Sequence, residues 1–157
     1  MTIEYREGDL FKQTDLDALA HGCNMQGVMG AGIAKTFRQK YPDMYEQYRL
    51  RCKLNLPDRN SEMVFPWKTL SGLYIFNLFT QVEPGPNASI HLVDNAFREM
   101  FRQASCLGIT SIGMPMIGCG IGGLRWDDVE VSLRDGLRLE HMSHRYDFKV
   151  VVVEYKS

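Results

Sequence analysis

The chain has almost no charge imbalance: 18 basic and 19 acidic side chains leave a net charge of -1 over 157 residues. Neither sign forms a long run, so there is no electrostatic footprint for duplex nucleic acid or an anionic membrane. Long apolar runs are also missing. Nothing approaches the about 18 apolar residues of a membrane span, and the first residues, Met1 to Phe11, lack the apolar stretch of a secretion signal. Cysteine is sparse. Cys23, Cys52, Cys106 and Cys119 lie far apart with no C-x-x-C pair, which argues against both a zinc site and a secreted disulfide framework. They read as reduced, mostly buried thiols, and no adjacent base marks Cys23 or Cys119 as a nucleophile. The expected location is cytoplasmic, with no membrane partner, and the sequon Asn87-Ala88-Ser89 then carries no glycan. No motif calls for a metal or a cofactor, and no repeat, linker or low-complexity tract divides the chain. With 45% apolar residues, it has the size and composition of one domain, 1–157.

What is present is an alternation of short apolar runs and helical patterns, the pattern of βαβ units and a largely parallel sheet covered by helices. Strands are expected at Thr2 to Arg6, Leu16 to Gly22, Glu62 to Pro66, Leu73 to Thr80, Ser111 to Met116 and Phe148 to Tyr155. The last contains four consecutive valines, as a strand buried on both faces would. Helices are expected at Gly30 to Lys40, stopped by Pro42, then Asp43 to Lys53, Ser89 to Leu107, and Asp127 to Leu139. In the third, Ile90, Val93, Phe97, Met100, Ala104 and Leu107 recur at three- and four-residue spacing and predict one face on the sheet. Ser89 stands where an N-cap belongs. Trp126-Asp127-Asp128 reads as a helix start, its acids complementing the dipole.

Two glycine-rich turns precede helix starts. The first runs through Gly27, Val28, Met29, Gly30, Ala31, Gly32 and Ile33; the second through Ile117, Gly118, Cys119, Gly120, Ile121, Gly122 and Gly123. In an open α/β sheet, ligands bind beyond the carboxyl ends of the strands, where helix N-termini aim N–H groups at the site. Glycine admits phosphate oxygens to that backbone. Either turn alone could be a tight connection; together they suggest a diphosphate. Neither matches the Rossmann fingerprint or the P-loop.

These segments, with Glu7-Gly8-Asp9-Leu10-Phe11, His21-Gly22-Cys23-Asn24 and Met114-Pro115-Met116 leading into the second turn, make the chain resemble a macro domain over nearly its whole length. The resemblance is nearest to the branch holding terminal ADP-ribose glycohydrolases, glycohydrolase antitoxins acting on ADP-ribosylated DNA, and ADP-ribose 1″-phosphate phosphatases. It implies a three-layer α/β/α sandwich with a mixed, largely parallel sheet, and ADP-ribose or ADP-ribose 1″-phosphate as ligand, with ADP-ribosylated protein or nucleic acid as a further partner. It also implies that Asp9 accepts from the adenine amino group with the Leu10 backbone alongside, that Asn24 contacts the distal ribose, and that the two turns hold the diphosphate. By itself, Gly8-Asp9 is ordinary turn chemistry, and so is Asn24 before Gly27. Tyr155 either stacks on adenine or is a sheet-edge residue.

The terminal glycohydrolases use a lysine after the fourth strand and an aspartate in the second glycine turn; this chain has Gln81 and Gly122 there. Glutamine forms no Schiff base and glycine moves no proton, so that covalent route lacks both groups. Lys35 and Lys40 fall on a helix face read as solvated. A 1″-phosphate phosphatase asks for less: a water, positioned donors and at most one base. His21, Asn24 and Gln81 are the candidates for that chemistry. The expectation is therefore an ADP-ribose-binding hydrolase of the 1″-phosphate, with a non-catalytic reader and a non-lysine glycohydrolase as alternatives. The stretch 80–88 reads as a lid, a substrate-contacting loop, or plain punctuation.

Overall fold

The computed structural model describes residues 2–57, 62–145 and 147–155. Its central sheet has six strands in the order β1-β6-β5-β2-β4-β3. They are β1 (Thr2–Gly8), β2 (Ala18–Asn24), β3 (Val64–Lys68), β4 (Tyr74–Gln81), β5 (Ser111–Met114) and β6 (Lys149–Tyr155). All neighbours pair in parallel except β3, which runs antiparallel to β4 at the sheet's edge. An edge is where Pro66, with no N–H to give a ladder, can sit inside a strand. The helices are α1 (Gly32–Lys40), α2 (Pro42–Lys53), α3 (Ile90–Leu107) and α4 (Trp126–His144).

Strand periodicity sorts the core into two layers. Ala18, Ala20, Phe76, Leu78, Ile112, Met114, Val150 and Val152 turn to one face and pack with Val93, Phe97, Met100, Phe101, Val129 and Leu133 of α3 and α4. Leu19, Phe65, Ile75, Phe79, Val151 and Val153 turn to the other and meet Phe37, Met44 and Tyr48 of α1 and α2. The result is the α/β/α sandwich, with the valine run of β6 buried on both sides.

Several boundaries differ from the sequence expectation for local reasons. The second strand begins at Ala18 rather than Leu16, because Asp17 caps the neighbouring connection, its Oδ2 accepting from Thr110 N at 3.0 Å and Ser111 N at 3.2 Å. It continues past Gly22 because Cys23 and Asn24 still pair with β4 across a register shift. β5 stops at Met114, ahead of Pro115. α1 starts at Gly32, not Gly30, and Pro42 opens α2 as well as ending α1. Ser89 occupies the N-cap of α3 but makes no side-chain cap bond, and Leu107 is 43% exposed rather than on the buried face. α4 runs on to His144 before Arg145 turns left-handed at φ 53°. No helix among the described residues is long and apolar enough to cross a membrane.

Candidate functional site

A cavity of about 390 Å³ opens beyond the carboxyl ends of β2, β4 and β5. Its wall comprises residues 22–24 at the end of β2, 28–34 of the first glycine turn, Thr80 and Gln81 at the end of β4, Pro84 and Gly85, and residues 115–118 and 120–122 of the second turn. The two turns approach one another: a Cβ built on Gly32 would lie 3.3 Å from Ile121 Cδ1. Gly32 has φ 59° and Gly118 φ 78°, so both turns use left-handed backbone that glycine adopts without strain. Ala31 is the N-cap of α1 and offers no side-chain cap, and the first turn of α1 has no acid. The N–H groups and positive dipole end of that helix therefore meet the cavity without a side chain competing for them.

Asn24 builds the first turn. Its Oδ1 accepts from Gln26 N at 2.9 Å, Val28 N at 3.3 Å and the Tyr48 hydroxyl at 3.0 Å, and its Nδ2 donates to Val28 O at 2.7 Å. Tyr48 also donates to Asn24 O at 2.8 Å, and Tyr45 donates to Gly27 O at 3.1 Å, so α2 clamps the turn from behind. Gln81 does the same for the stretch 81–88: its Nε2 donates to Glu83 O at 2.6 Å and Gly85 O at 3.1 Å. Ala88 N then donates to Gly122 O at 3.1 Å, tying that loop to the second glycine turn. The loop thus supplies fixed wall residues, Pro84 and Gly85.

Of the expected site residues, the structure brings Asn24, Val28, Met29, Gly30, Ala31, Gly32, Ile33, Gln81, Ile117, Gly118, Gly120, Ile121 and Gly122 to the wall. Others stand elsewhere. His21 is not at the site: it is fully buried on the α1 face of the sheet, stacked on Phe37 at 3.9 Å between ring centroids, with Nε2 2.6 Å from Asn77 Oδ1. Burial pushes its pKa down to about 4, against a weaker opposing effect of the Asn77 bond. A group so placed has no access to a substrate, and the expectation of proton transfer by His21 falls. Asp9 caps a 3-10 turn at Leu10–Lys12, accepting from Phe11 N at 2.9 Å. Leu10 is buried in the core, and Tyr155 is exposed at the end of β6 opposite Gly8. These three share the sheet's carboxyl edge with the cavity but are not in its wall. Gly27 packs against Arg49 and Cys52, Cys119 turns its thiol to Ile117 O at 3.4 Å, and Gly123 packs near Pro86; none of the three lines the cavity.

The sequence reading did not name Gly22, Cys23, Ala34, Pro115 or Met116 as wall residues, and it gave Thr80, Pro84 and Gly85 only as part of the stretch 80–88. Among the described residues the wall holds no Lys, Arg, His, Asp or Glu. The one ionisable side chain among them is the Cys23 thiol, whose pKa burial pushes well up. Position 122 has no space for a side chain: a Cβ there would lie 2.7 Å from Gly118 O and 2.8 Å from Ala88 Cβ. Gly120, by contrast, has open space where a Cβ would go. No group of three or more His, Cys, Asp or Glu residues able to hold a metal occurs among the described residues.

The family model of the Macro domain matches residues 20–133. A DNA ADP-ribosyl glycohydrolase of Mycobacterium tuberculosis is 34% identical over 132 residues, covering 83% of this chain and 37% of that protein. The chain thus spans well under half the length of the mycobacterial relatives it matches. An ADP-ribose 1″-phosphate phosphatase of Candida albicans is 30% identical over 145 residues, covering 85% of this chain and 92% of the other. Among solved structures, the macrodomain of Mycobacterium tuberculosis DarG superposes with a TM-score of 0.83 at 30% identity, covering 97% of each chain. With its sheet order, its two facing glycine turns and these matches, the chain belongs to the macro domain family.

Proposed function

We propose that this domain binds ADP-ribose derivatives in the cavity between the glycine turns and hydrolyses ADP-ribose 1″-phosphate to ADP-ribose and phosphate. The observation that carries the reading is the wall itself: two left-handed glycine turns and an uncapped helix start around a cavity without a charged side chain. Such a wall stabilises anionic oxygens through backbone N–H groups. Phosphoryl transfer passes through a loose transition state that asks chiefly for positioning and charge stabilisation: water attacks phosphorus as the bond to the 1″-oxygen breaks, and the leaving oxygen takes up the proton the water gives. Cleaving ADP-ribose from a macromolecule through a covalent adduct needs a nucleophile, and the wall offers none beyond a buried thiol. Phosphatase relatives that match over nearly their whole length support the same choice.

The wall also favours a second reading, a domain that holds ADP-ribose on modified protein or nucleic acid without cleaving it, because its one ionisable group is Cys23. A phosphorus NMR time course with ADP-ribose 1″-phosphate separates the readings. Asn24→Ala, which removes the bonds that fold the first turn, is the control. Conversion of the monoester signal to free phosphate by the wild type and not by the variant supports the phosphatase. Shifted signals without conversion support the reader, and unperturbed signals refute both.

A further inference from the structure

Thr80 is the next-to-last residue of β4 and is only 2% exposed, yet it belongs to the cavity wall. Its hydroxyl stands over the end of β2: a Cβ built on Gly22 would lie 2.8 Å from Thr80 Oγ1 and 3.6 Å from Ile117 Cγ2. Gly22, the Thr80 hydroxyl and the Ile117 methyl therefore form the cavity floor between the two glycine turns. The backbone of Thr80 is occupied, its carbonyl accepting from Ser89 N at 3.0 Å. Its hydroxyl has no hydrogen-bond partner among the described residues, and it is not sealed off as a buried unsatisfied atom either. It opens onto the cavity.

The amides of the wall hold its loops in place. Asn24 Oδ1 accepts three bonds and Gln81 Nε2 donates two, all within the protein. Thr80 differs. Leu78 and Phe79, just before it, are buried apolar residues, and valine would have the same shape as threonine with no hydroxyl to leave unsatisfied. A β-branched side chain is also stiff about χ1, so packing holds the hydroxyl where it is.

Resting on the binding reading above, we infer that Thr80 is a ligand-contacting residue whose hydroxyl donates a hydrogen bond to a phosphate oxygen of the ADP-ribose-type ligand on the cavity floor. A neutral O–H suits this position, since it gives a directed donor without placing a charge among Gly22, Ile117 and the core.

The test is isothermal titration calorimetry with ADP-ribose on wild type, Thr80→Val and Thr80→Ser, with the Tm of each ligand-free protein alongside. Losing a hydrogen bond to a charged oxygen should weaken the valine variant about tenfold or more, while serine stays within about threefold of wild type. The ligand-free valine variant should melt at the same temperature as wild type or higher, because the Thr80 hydroxyl it lacks bonds nothing in the described fold. Wild-type affinity in the valine variant overturns the inference and leaves the binding reading intact. A valine variant that melts several degrees lower also overturns it, because the hydroxyl then serves the fold. Absence of ADP-ribose binding by the wild type overturns both.

Discussion

His21 provides a quantitative test of how the strand beneath the cavity is built. Asn77 Nδ2 donates to Phe65 O at 3.1 Å, which turns Asn77 Oδ1 toward the imidazole 2.6 Å away. His21 must then donate from Nε2. Burial pushes its pKa from 6.5 to about 4, the Asn77 bond opposing more weakly. Above pH 6.5 the ring is neutral in both folded and unfolded chains and costs nothing. Between pH 6.5 and 4 the unfolded chain takes up a proton that the folded one refuses, so stability falls as pH falls, and below 4 the loss is complete. At about 1.4 kcal/mol per pH unit, the full loss is about 3 kcal/mol, of which about 2 kcal/mol appears between pH 7 and pH 5. Urea unfolding of wild type and His21→Gln at those two pH values reads it directly, since glutamine does not titrate and the carboxylates are common to both proteins. The wild type should lose about 2 kcal/mol more than the variant over the interval, or about 4–8 °C more in Tm for a domain of this size. Equal losses in the two proteins would refute the assignment of a buried neutral imidazole.

Two further outcomes follow from the loop geometry. Tyr48→Phe removes the hydroxyl that holds Asn24 O and Oδ1 from behind, so it should cost about 1 kcal/mol of stability in thermal unfolding and weaken ADP-ribose severalfold in calorimetry; unchanged values in both would show that α2 does not clamp the turn. Gly122→Asp, alone or with Gln81→Lys, should fail to release ADP-ribose from ADP-ribosylated DNA and should lose about 1–3 kcal/mol of stability with a lower Tm, because its Cβ meets Gly118 O and Ala88. Release of ADP-ribose without a drop in Tm would refute the packing argument.

The parts of the site legible in the sequence are those written in local backbone chemistry. Gly32 and Gly118 sit where the chain turns left-handed between strand and helix, and their bare backbone marks both turns before any coordinates exist. The apolar runs likewise give the strands, but not their order, since parallel crossovers place β6 between β1 and β5 through contacts that no local pattern encodes. His21 differs from the expectation because β2 runs on to Asn24 rather than ending at Gly22: residues 22–24 reach the cavity wall while His21 lies deeper in the strand and stacks on Phe37. Thr80 enters the sequence reading only within the stretch 80–88; what would single it out is a hydroxyl closing the apolar run Leu78-Phe79, beside Gln81. Asn24 and Gln81 lie at the wall, but whether an amide touches a ligand or folds its own loop depends on partners such as Tyr48 and Gly85, distant by 24 and by four residues.

That division of labour bears on what the cavity can do. Asn24 and Gln81 look from the sequence like chemistry, yet in the structure their hydrogen bonds make the turns rigid, and rigidity is what a backbone-donor site requires. N–H groups that already point at the ligand need no reorganisation when charge develops there, whereas the same groups on a slack loop would first have to be ordered. A wall of this kind acts on a reaction whose difficulty is accumulated negative charge. It does little for one whose difficulty is protonating a leaving group or supplying a nucleophile. Hydrolysis of a phosphate monoester gains from held phosphoryl charge but still needs an in-line water and a proton for the leaving oxygen, whereas release of a sugar from a macromolecule rests chiefly on the nucleophile and the proton. Among the described residues the wall has no acid or base, so it acts through the backbone that Asn24, Tyr48 and Gln81 hold in place.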